Sequence, residues 1–486
     1  MAYDSSNRLL SVTDAMGNTT SYQYAGGTSC TTCGSGGSAA TPAKITDPLG
    51  NVTQNVFDKA GRPTGIKDRN GNYTIYTYDP VGRLINKQYP DNTNVSYTYD
   101  ALGRIKTATN RYTRLTFTYD IYGNIASVQD SRLNKTVSYT YDLVGRRTSM
   151  TGPEGKNISY EYDEASRLKS LNASGKVFSF GYDNSGRRTS LTYPNGIVAS
   201  YGYNEASELL SLANKLQLSD IARNSYEYDP VGNRLNNTDL KGTHNYRYDS
   251  LYQLIEATHP DSPLEAFTYN KTGNRISEIE GEQVLNYIHT TGNRIVSRNG
   301  AVYEHDQNGN IISKTDTSGT TKYIYDYENK LLRAEMPNGT VAEYKYDPLG
   351  RRIEKNIGGV ATRYLYDNED IIAEYDGSNV LVAEYVHGAG IDEPLAMIKA
   401  GQTYYYHTDG LGSITALTDQ SGQIVQKYEY DSFGEIISIS DPSFIQPYTY
   451  TAREYDPETG LYYYRARYYD AGIGRFISED HAGGDD

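Results

Sequence analysis

Apolar and polar positions alternate along this chain in short runs, and the runs recur at nearly constant spacing. In 76-YTYDPVGR-83 two tyrosines, Tyr76 and Tyr78, stand two apart with Thr77 between them. Residues two apart share one face of a strand. The arrangement returns at Tyr97/Tyr99, Phe117/Tyr119, Tyr139/Tyr141, Tyr160/Tyr162, Phe180/Tyr182, Tyr201/Tyr203, Tyr226/Tyr228 and Tyr246/Tyr248. Between the aromatics stand residues such as Thr98, Thr118, Thr140, Glu161, Gly181 and Gly202. One aromatic face and one polar or small face predict half-buried antiparallel strands.

Each pair runs into Asp-x-x-Gly-Arg. The Asp side chain bonds backbone N–H groups ahead of it, and Gly takes the left-handed conformation that closes a short hairpin loop. Asn7 and Asn329 replace that Gly with the residue that next best tolerates the conformation. Ser166 and Ser207 are less comfortable there, so their turns are expected to be strained or differently shaped. Returning strands begin at Leu84, Ile105, Leu168, Leu235, Ile276, Ile295 and Ile353, and a second turn follows, often Gly-Asn as at Gly71-Asn72. Each unit is a β-hairpin, repeated about every 21 residues from Tyr78 to Tyr366. A fixed period of this length means one unit stacked on its neighbours.

Some forty strands at ~4.8 Å make a ribbon on the order of 190 Å long. Open twisted sheets rarely pass ~10 strands without curling. The expected fold is therefore all-β, a long antiparallel hairpin array spiralling into a hollow or partial shell, with every aromatic pair lining the enclosed space.

Composition fits a wet or hollow interior. The chain has 50 Tyr against 8 Phe and no Trp. Phenol hydroxyls need partners or water, whereas a dry core favours Leu, Ile and Phe. The net charge of −14 disfavours a nucleic-acid partner and suits a basic cargo if it lies on the inner wall. No run approaches the ~20 apolar residues of a membrane span, and Met1-Ala2-Tyr3-Asp4 does not read as a signal peptide. Cys30 and Cys33 lie in a Gly/Ser/Thr-rich insertion at 26–42. A lone CxxC is half a closed zinc site and lacks the βαβ context of a redox motif, so an inert loop or local disulfide is expected. His407 and Asp409 can share a strand face but read as strand and turn structure. His244, His259, His289, His305, His387 and His481 lack ligand spacing and read as surface. Gly388-Ala389-Gly390 is a turn with no helix behind it to hold phosphate. No metal or cofactor is expected.

The repeated phrase resembles that of the YD-repeat or Rhs family. The stretches 363-RYLYDNEDIIAEYDG-377 and 404-YYYHTDGLGSITALTDQSGQIVQKYEYDSFGE-435 are similar to its pre-core segments. The stretch 451-TAREYDPETGLYYYRARYYDAGIGRFISED-480 is similar to its repeat-associated core signature. The signature positions are Tyr455, Asp456, Gly460, Tyr462, Tyr464, Arg465, Arg467, Tyr468, Tyr469, Asp470, Gly474, Arg475 and Phe476. The Arg465, Arg467 and Arg475 cluster is expected to pair with acids inside the plug, with Tyr faces beside it. The division that follows is a repeat array over 1–375, a core region over 376–480 and a short tail over 481–486.

What the resemblance implies is a hollow shell whose core region closes one end. Family members serve as cocoons for a toxin tail, in Tc insecticidal complexes among other systems, or as adhesion ectodomains. The implied partners are a toxin cargo or a second shell-forming chain, and the implied destination is secretion or delivery after synthesis in the cytoplasm. Asp480 matches an aspartyl autoprotease position, but no matching second carboxylate or cleavage segment follows, so no enzyme activity is expected. The first residues enter the repeat at its turn, so a fragment or one half of a divided shell is expected. The alternative function is adhesion through glycans stacked on the aromatic face.

Overall fold

The computed structural model describes residues 1–24 and 41–480. Cys30, Cys33 and the 481–486 tail lie outside the described residues. Among those residues regular structure is β, apart from short 3-10 turns at Pro153–Gly155 and Tyr450–Ala452. One sheet holds 42 strands, from Ala2–Tyr3 to Ile436–Ile439, and each strand pairs antiparallel with its neighbours in sequence. A separate four-stranded sheet runs Glu454–Asp456, Leu461–Tyr464, Arg467–Asp470 and Arg475–Phe476. The long sheet does not change character at residue 376. The 376–480 segment is ribbon as far as Ile439 and a distinct plug after it.

The local chemistry of the repeat is explicit in the turns. Asp79 Oδ1 accepts the N–H groups of Val81 (3.1 Å) and Arg83 (2.9 Å), and its Oδ2 accepts Arg83 Nε (2.7 Å). Gly82 has φ 93°, and the register shifts at the last pair, Tyr78↔Leu84. The turn is therefore a bulged hairpin whose Asp fixes the loop and whose Arg is aimed by that same Asp. Arg83 then lies over the ring of Tyr99 in the next hairpin, 4.7 Å from its centroid. The relay repeats as Arg62 over Tyr78, Arg104 over Tyr119, Arg146 over Tyr162 and Arg351 over Tyr366. Each covered phenol bonds backward as well. Tyr78 Oη donates to Pro63 O (2.8 Å), Tyr99 Oη to Leu84 O (2.6 Å) and Tyr162 Oη to Arg147 O (2.8 Å). Asp, Arg and the second Tyr of the motif thus stitch each hairpin to the one before.

Ser166 and Ser207 correct the expectation of altered turns. Their φ values, 63° and 67°, are close to those of Asn7 and Asn329, both 59°, and the backbone loop hydrogen bonds are kept. The Ser166 turn retains both Asp163 bonds, while the Ser207 turn retains only Glu208 N–H to Asn204. The hydroxyls gain a use, because Ser166 Oγ accepts from Arg146 Nη1 (3.1 Å) and Ser207 Oγ from Arg187 Nη1 (3.4 Å).

The ribbon overlaps itself along one seam, so that a second pass runs beside the first. Return turns of the first pass meet Asp-led turns of the second, edge against edge. Asn70 bonds Asp306 (2.9 Å), Lys87 pairs with Glu328 (3.0 Å), Tyr89 stacks on Tyr327, and Asn110 Nδ2 donates to Tyr346 O (2.8 Å). Farther on, Arg147 pairs with Asp367, Arg188 with Glu393, and Tyr193 Oη donates to Tyr406 O (2.8 Å). The separation across this seam falls from 251 residues at Tyr97–Pro348 to 184 at Gly410–Tyr226. At constant strand spacing, the circumference contracts from on the order of 115 Å to about 90 Å. The coil narrows toward its C-terminal end.

Beneath the seam lies an apolar cluster that includes Val137, Met150, Ile158, Leu171, Phe178, Leu191 and Ile197 of the first pass. Leu365, Ile372, Leu395, Tyr405 and Ala416 of the second complete it. A second cluster sets Leu285, Tyr323, Leu331, Tyr344 and Tyr346 of the second pass against Leu461, Tyr463, Tyr468, Ile473 and Ile477 of the plug.

Candidate functional site: the inner wall and its C-terminal seal

Strand alternation places both aromatics of each pair on one face. Tyr76 and Tyr78, Tyr97 and Tyr99, Tyr160 and Tyr162, Tyr201 and Tyr203, and Tyr246 and Tyr248 are half-buried, while Thr77, Thr98, Glu161 and Arg247 are exposed. Phe117, Tyr119, Tyr141, Tyr182 and Tyr228 are half-buried as well, and Tyr139, Phe180 and Tyr226 are buried. The two members of a pair differ in what they do. The second is fixed by its backward hydrogen bond, and Arg covers its ring where the preceding turn carries one, as at Tyr78, Tyr99, Tyr119, Tyr162 and Tyr182, whereas Tyr141, Tyr228 and Tyr248 have the bond alone. The first contributes to the wall or to the seam. Tyr139 Oη donates to Asp367 (2.8 Å), and Tyr226 Oη accepts Gly410 N–H (2.6 Å). Burial pushes the Tyr160 phenol up to about 12.

The plug seals the narrow end through the core-signature residues. Asp456 is buried and pairs with Arg352, and its other oxygen meets Lys355 (3.0 Å). Arg352 also bonds Glu454 (2.9 Å) and lies over Tyr463, 4.3 Å from the centroid. Burial raises Glu454 to about 7 against the pull of Arg352, whereas Arg352 and Lys355 together hold Asp456 low. Tyr468 Oη meets Tyr346 Oη (3.3 Å), Tyr462 Oη donates to Gly434 O (2.7 Å) and Tyr469 Oη to Phe433 O (2.8 Å). Tyr464 bonds Thr451 (2.6 Å), and Tyr455 packs on Tyr462 at 4.9 Å. Gly460 and Gly474, with φ 71° and 62°, close the plug turns, and Asp470 pairs in register with Arg475. Phe476 packs on Tyr464 and Tyr469, and two backbone bonds, Ile311 N to Ile477 O and Ile414 N to Thr449 O, join plug to ribbon.

The basic cluster is spread more widely than the sequence suggests. Arg465 reaches out of the plug to Asp392 (2.8 Å), Arg475 Nη1 donates to Asn274 (3.1 Å), and only Arg467 stays local, over Phe476 and 3.1 Å from Asp480. Asp480, whose side chain is 71% exposed, has that guanidinium as its partner.

His407 is fully buried, bonded to Asn214 (3.2 Å) and Thr418 (2.9 Å), and burial lowers it to about 3. Asp409 caps the turn through Leu411 and Ser413 N–H groups. The two side chains have separate partners. His259 and His387 correct the surface reading of the histidines, with side chains only 6% and 8% exposed. Nδ1 of His259 lies 2.7 Å from Nδ1 of His244, because the bulged register around the Asp249–Gln253 turn, with Asn245 opposite Thr258, sets the two residues across from each other. That hairpin spacing was available in the sequence. The Arg352–Asp456 contact had no such signal, since 104 residues separate its partners.

Comparisons with known proteins agree with this architecture. The Teneurin YD-shell family matches residues 107–233 and 202–486, and RHS Repeat matches 3–28, 57–93 and 78–115. The chain is 30% identical over 274 residues to the tRNA3(Ser)-specific nuclease WapA of Bacillus spizizenii, covering 54% of this chain and 10% of the relative. It is 23% identical over 295 residues to double-stranded DNA deaminase toxin A of Burkholderia cenocepacia, covering 53% of this chain and 20% of the relative. The chain thus spans a tenth to a fifth of the length of these relatives. Among solved structures, the Photorhabdus luminescens Tc holotoxin pore aligns with TM-score 0.80 and 19% identity over 91% of this chain and 26% of that one. The TcdB2-TccC3-Cdc42 crystal structure aligns with TM-score 0.76 and 20% identity over 91% and 27%. At that identity the likeness is one of fold: a 42-strand ribbon coiled into a shell and closed by a small sheet. By its repeats, its coil and its plug, the chain belongs to the teneurin YD-shell family.

Proposed function

We propose that this chain is the wall and sealed end of an encapsulating shell that holds a toxin polypeptide until delivery. The observation that carries the reading is the asymmetry of the inner face. At the narrow end the wall tyrosines are covered by the plug, whereas in the first pass Tyr76, Tyr97, Tyr160 and Tyr201 remain half-buried, and burial reaches only Tyr139, Phe180 and Tyr226, beside the seam. Toxin names among the relatives support a toxin as the partner. Export with that cargo is the matching destination, and among the described residues no helix is long and apolar enough to cross a membrane.

The chain's own role in this reading is mechanical. Asp480 is held by Arg467 and has no catalytic part, so intact-mass spectrometry of fresh protein is to show no cut near Ser478. Electron microscopy of the purified chain tests the shell itself. A cone with a lumen, closed at its narrow end, is the expected particle, and a solid one overturns the reading.

A second partner is supported by the free edge of the first pass. Its turn tips carry Val81, Leu102, Ile121 and Leu143, all at least 75% exposed, on four successive hairpins. The corresponding edge of the second pass is the one that seats against the first. A second shell-forming chain offering return turns fits that edge. Light scattering is to show self-association of the isolated chain that falls when Leu102 and Leu143 become Ser.

A further inference from the structure

We propose that the cleft between the 229–261 hairpins and the last ribbon hairpin receives a cationic side chain of the enclosed polypeptide, an arginine or lysine held between Asp431 and the phenols of Tyr246 and Tyr450. This rests on the shell reading and adds the chemistry of what the wall holds.

The turn grammar supplies the first observation. In turns led by Asp58, Asp79, Asp100 and Asp163, the second carboxylate oxygen is taken by Arg four residues on. At Asp431 the fourth residue is Glu435. Asp431 Oδ1 accepts Phe433 N–H (2.9 Å) and Glu435 N–H (2.7 Å), and among the described residues no Lys, Arg or His forms an ion pair with it. Its charged neighbours are the acids Glu265 and Glu435. Burial and Glu265 push its carboxyl up to about 7, as expected of an acid without its counter-ion.

The second observation is the space in front of it. A cleft of about 430 Å³ opens there, lined by Tyr246, Tyr248, Tyr430, Tyr450, Asp409 and Asp431 among others. That is within the ~300–1,000 Å³ typical of ligand sites. His259 lines the same cleft, with a deeply buried side chain whose Nε2 has no hydrogen-bond partner and lies 3.4 Å from Glu265. The resident cations are already engaged. Lys241 is on Glu429 (2.7 Å), and Arg234 lies over Tyr226 at 4.1 Å. Carboxylate beside phenol faces is the arrangement that accepts a guanidinium or ammonium, through a charge-assisted hydrogen bond and cation–π attraction together.

The test uses the full chain and a fluorescein-labelled tetra-arginine peptide, read by anisotropy at physiological ionic strength. Asp431→Asn keeps the turn acceptor and removes the charge, and Asp419→Asn makes the same change in an exposed turn. Asp431→Asn is to weaken binding about tenfold or more, the size of ~1.4 kcal/mol, and Asp419→Asn less than about twofold. Tyr246→Leu, on the opposite wall, is to weaken it several-fold, and circular dichroism checks that each variant is folded. Equal losses at Asp431 and Asp419, or no binding to the unmodified chain, overturn the proposal and leave the shell reading standing. A solid particle by microscopy together with selective loss at Asp431 overturns the shell reading alone.

Discussion

The first and second passes of the ribbon are built from the same phrase, yet their inner faces have different fates. In the first pass Tyr76, Tyr97, Tyr160 and Tyr201 stay half-buried. In the second, Tyr344, Tyr364, Tyr385 and Tyr406 fall to 4% exposure or less, under the plug and the segment leading to it. Strand chemistry is therefore not what decides burial. The hairpin grammar of Asp, Gly, Arg and Tyr is satisfied locally in both passes, and it leaves an aromatic face whose environment is set by what folds back on it. Where the plug lands, the wall becomes a core of phenols tied by hydrogen bonds. Elsewhere it stays half-buried, except at Tyr139, Phe180 and Tyr226, which are buried beside the seam.

The largest test of this contrast is Arg352→Met. Removing the cation leaves Asp456 and Glu454 buried without it, which costs about 3–5 kcal/mol, and the plug is to loosen. Urea unfolding measures the loss, and limited proteolysis is to cut between 440 and 453. Arg83→Met in the first pass removes a half-exposed pair and a cation–π contact, so a loss of about 1 kcal/mol is expected there.

Acidity separates the regions next. Glu454 is raised from 4.5 to about 7, so the folded plug holds a proton that the unfolded chain releases. Its contribution is full below about 4.5 and is lost as pH rises through about 7, on the order of 3 kcal/mol at most. The turn carboxylates of Asp58, Asp100 and Asp163 are shifted the other way by hydrogen bonds from Arg62, Arg104 and Arg167. Their contribution is present above the unfolded value near 3.8 and disappears as pH falls below it. Thermal melts are to show the plug at its most stable near pH 5, with the repeats weakening only in stronger acid.

A smaller effect distinguishes the stapling phenols. Tyr346→Phe removes the phenol from the buried Leu331 carbonyl and leaves the Tyr468 hydroxyl with Arg352 alone, for about 1–2 kcal/mol, whereas water replaces the lost bond in Tyr99→Phe and the cost stays below about 0.5 kcal/mol. Smallest is Ser166→Gly. It relieves a left-handed Ser but gives up the Arg146 contact, so a gain within about 0.5 kcal/mol is expected in the same denaturation assay.

Much of this was legible in the residues. Period-two alternation and turn chemistry act over five or six neighbouring residues, so the hairpins, their spacing and the shared aromatic face follow from them. The resemblance of 451–480 to a core signature marked the plug. What escaped was every contact between distant segments. Nothing near Arg352 announces Asp456, nothing in Lys87 announces Glu328, and Arg465 finds Asp392 rather than an acid of its own sheet. The two tyrosines of a pair looked equivalent, although one staples the backbone and the other faces the wall.

By itself, then, the sequence determined a curling ribbon of hairpins with phenols on one side, because those features are local and repeated. The tertiary structure decided where the ribbon meets itself, how fast it narrows and which phenols the plug covers. These depend on accumulated twist and on contacts between residues 104 to 251 positions apart, which a one-dimensional pattern does not encode.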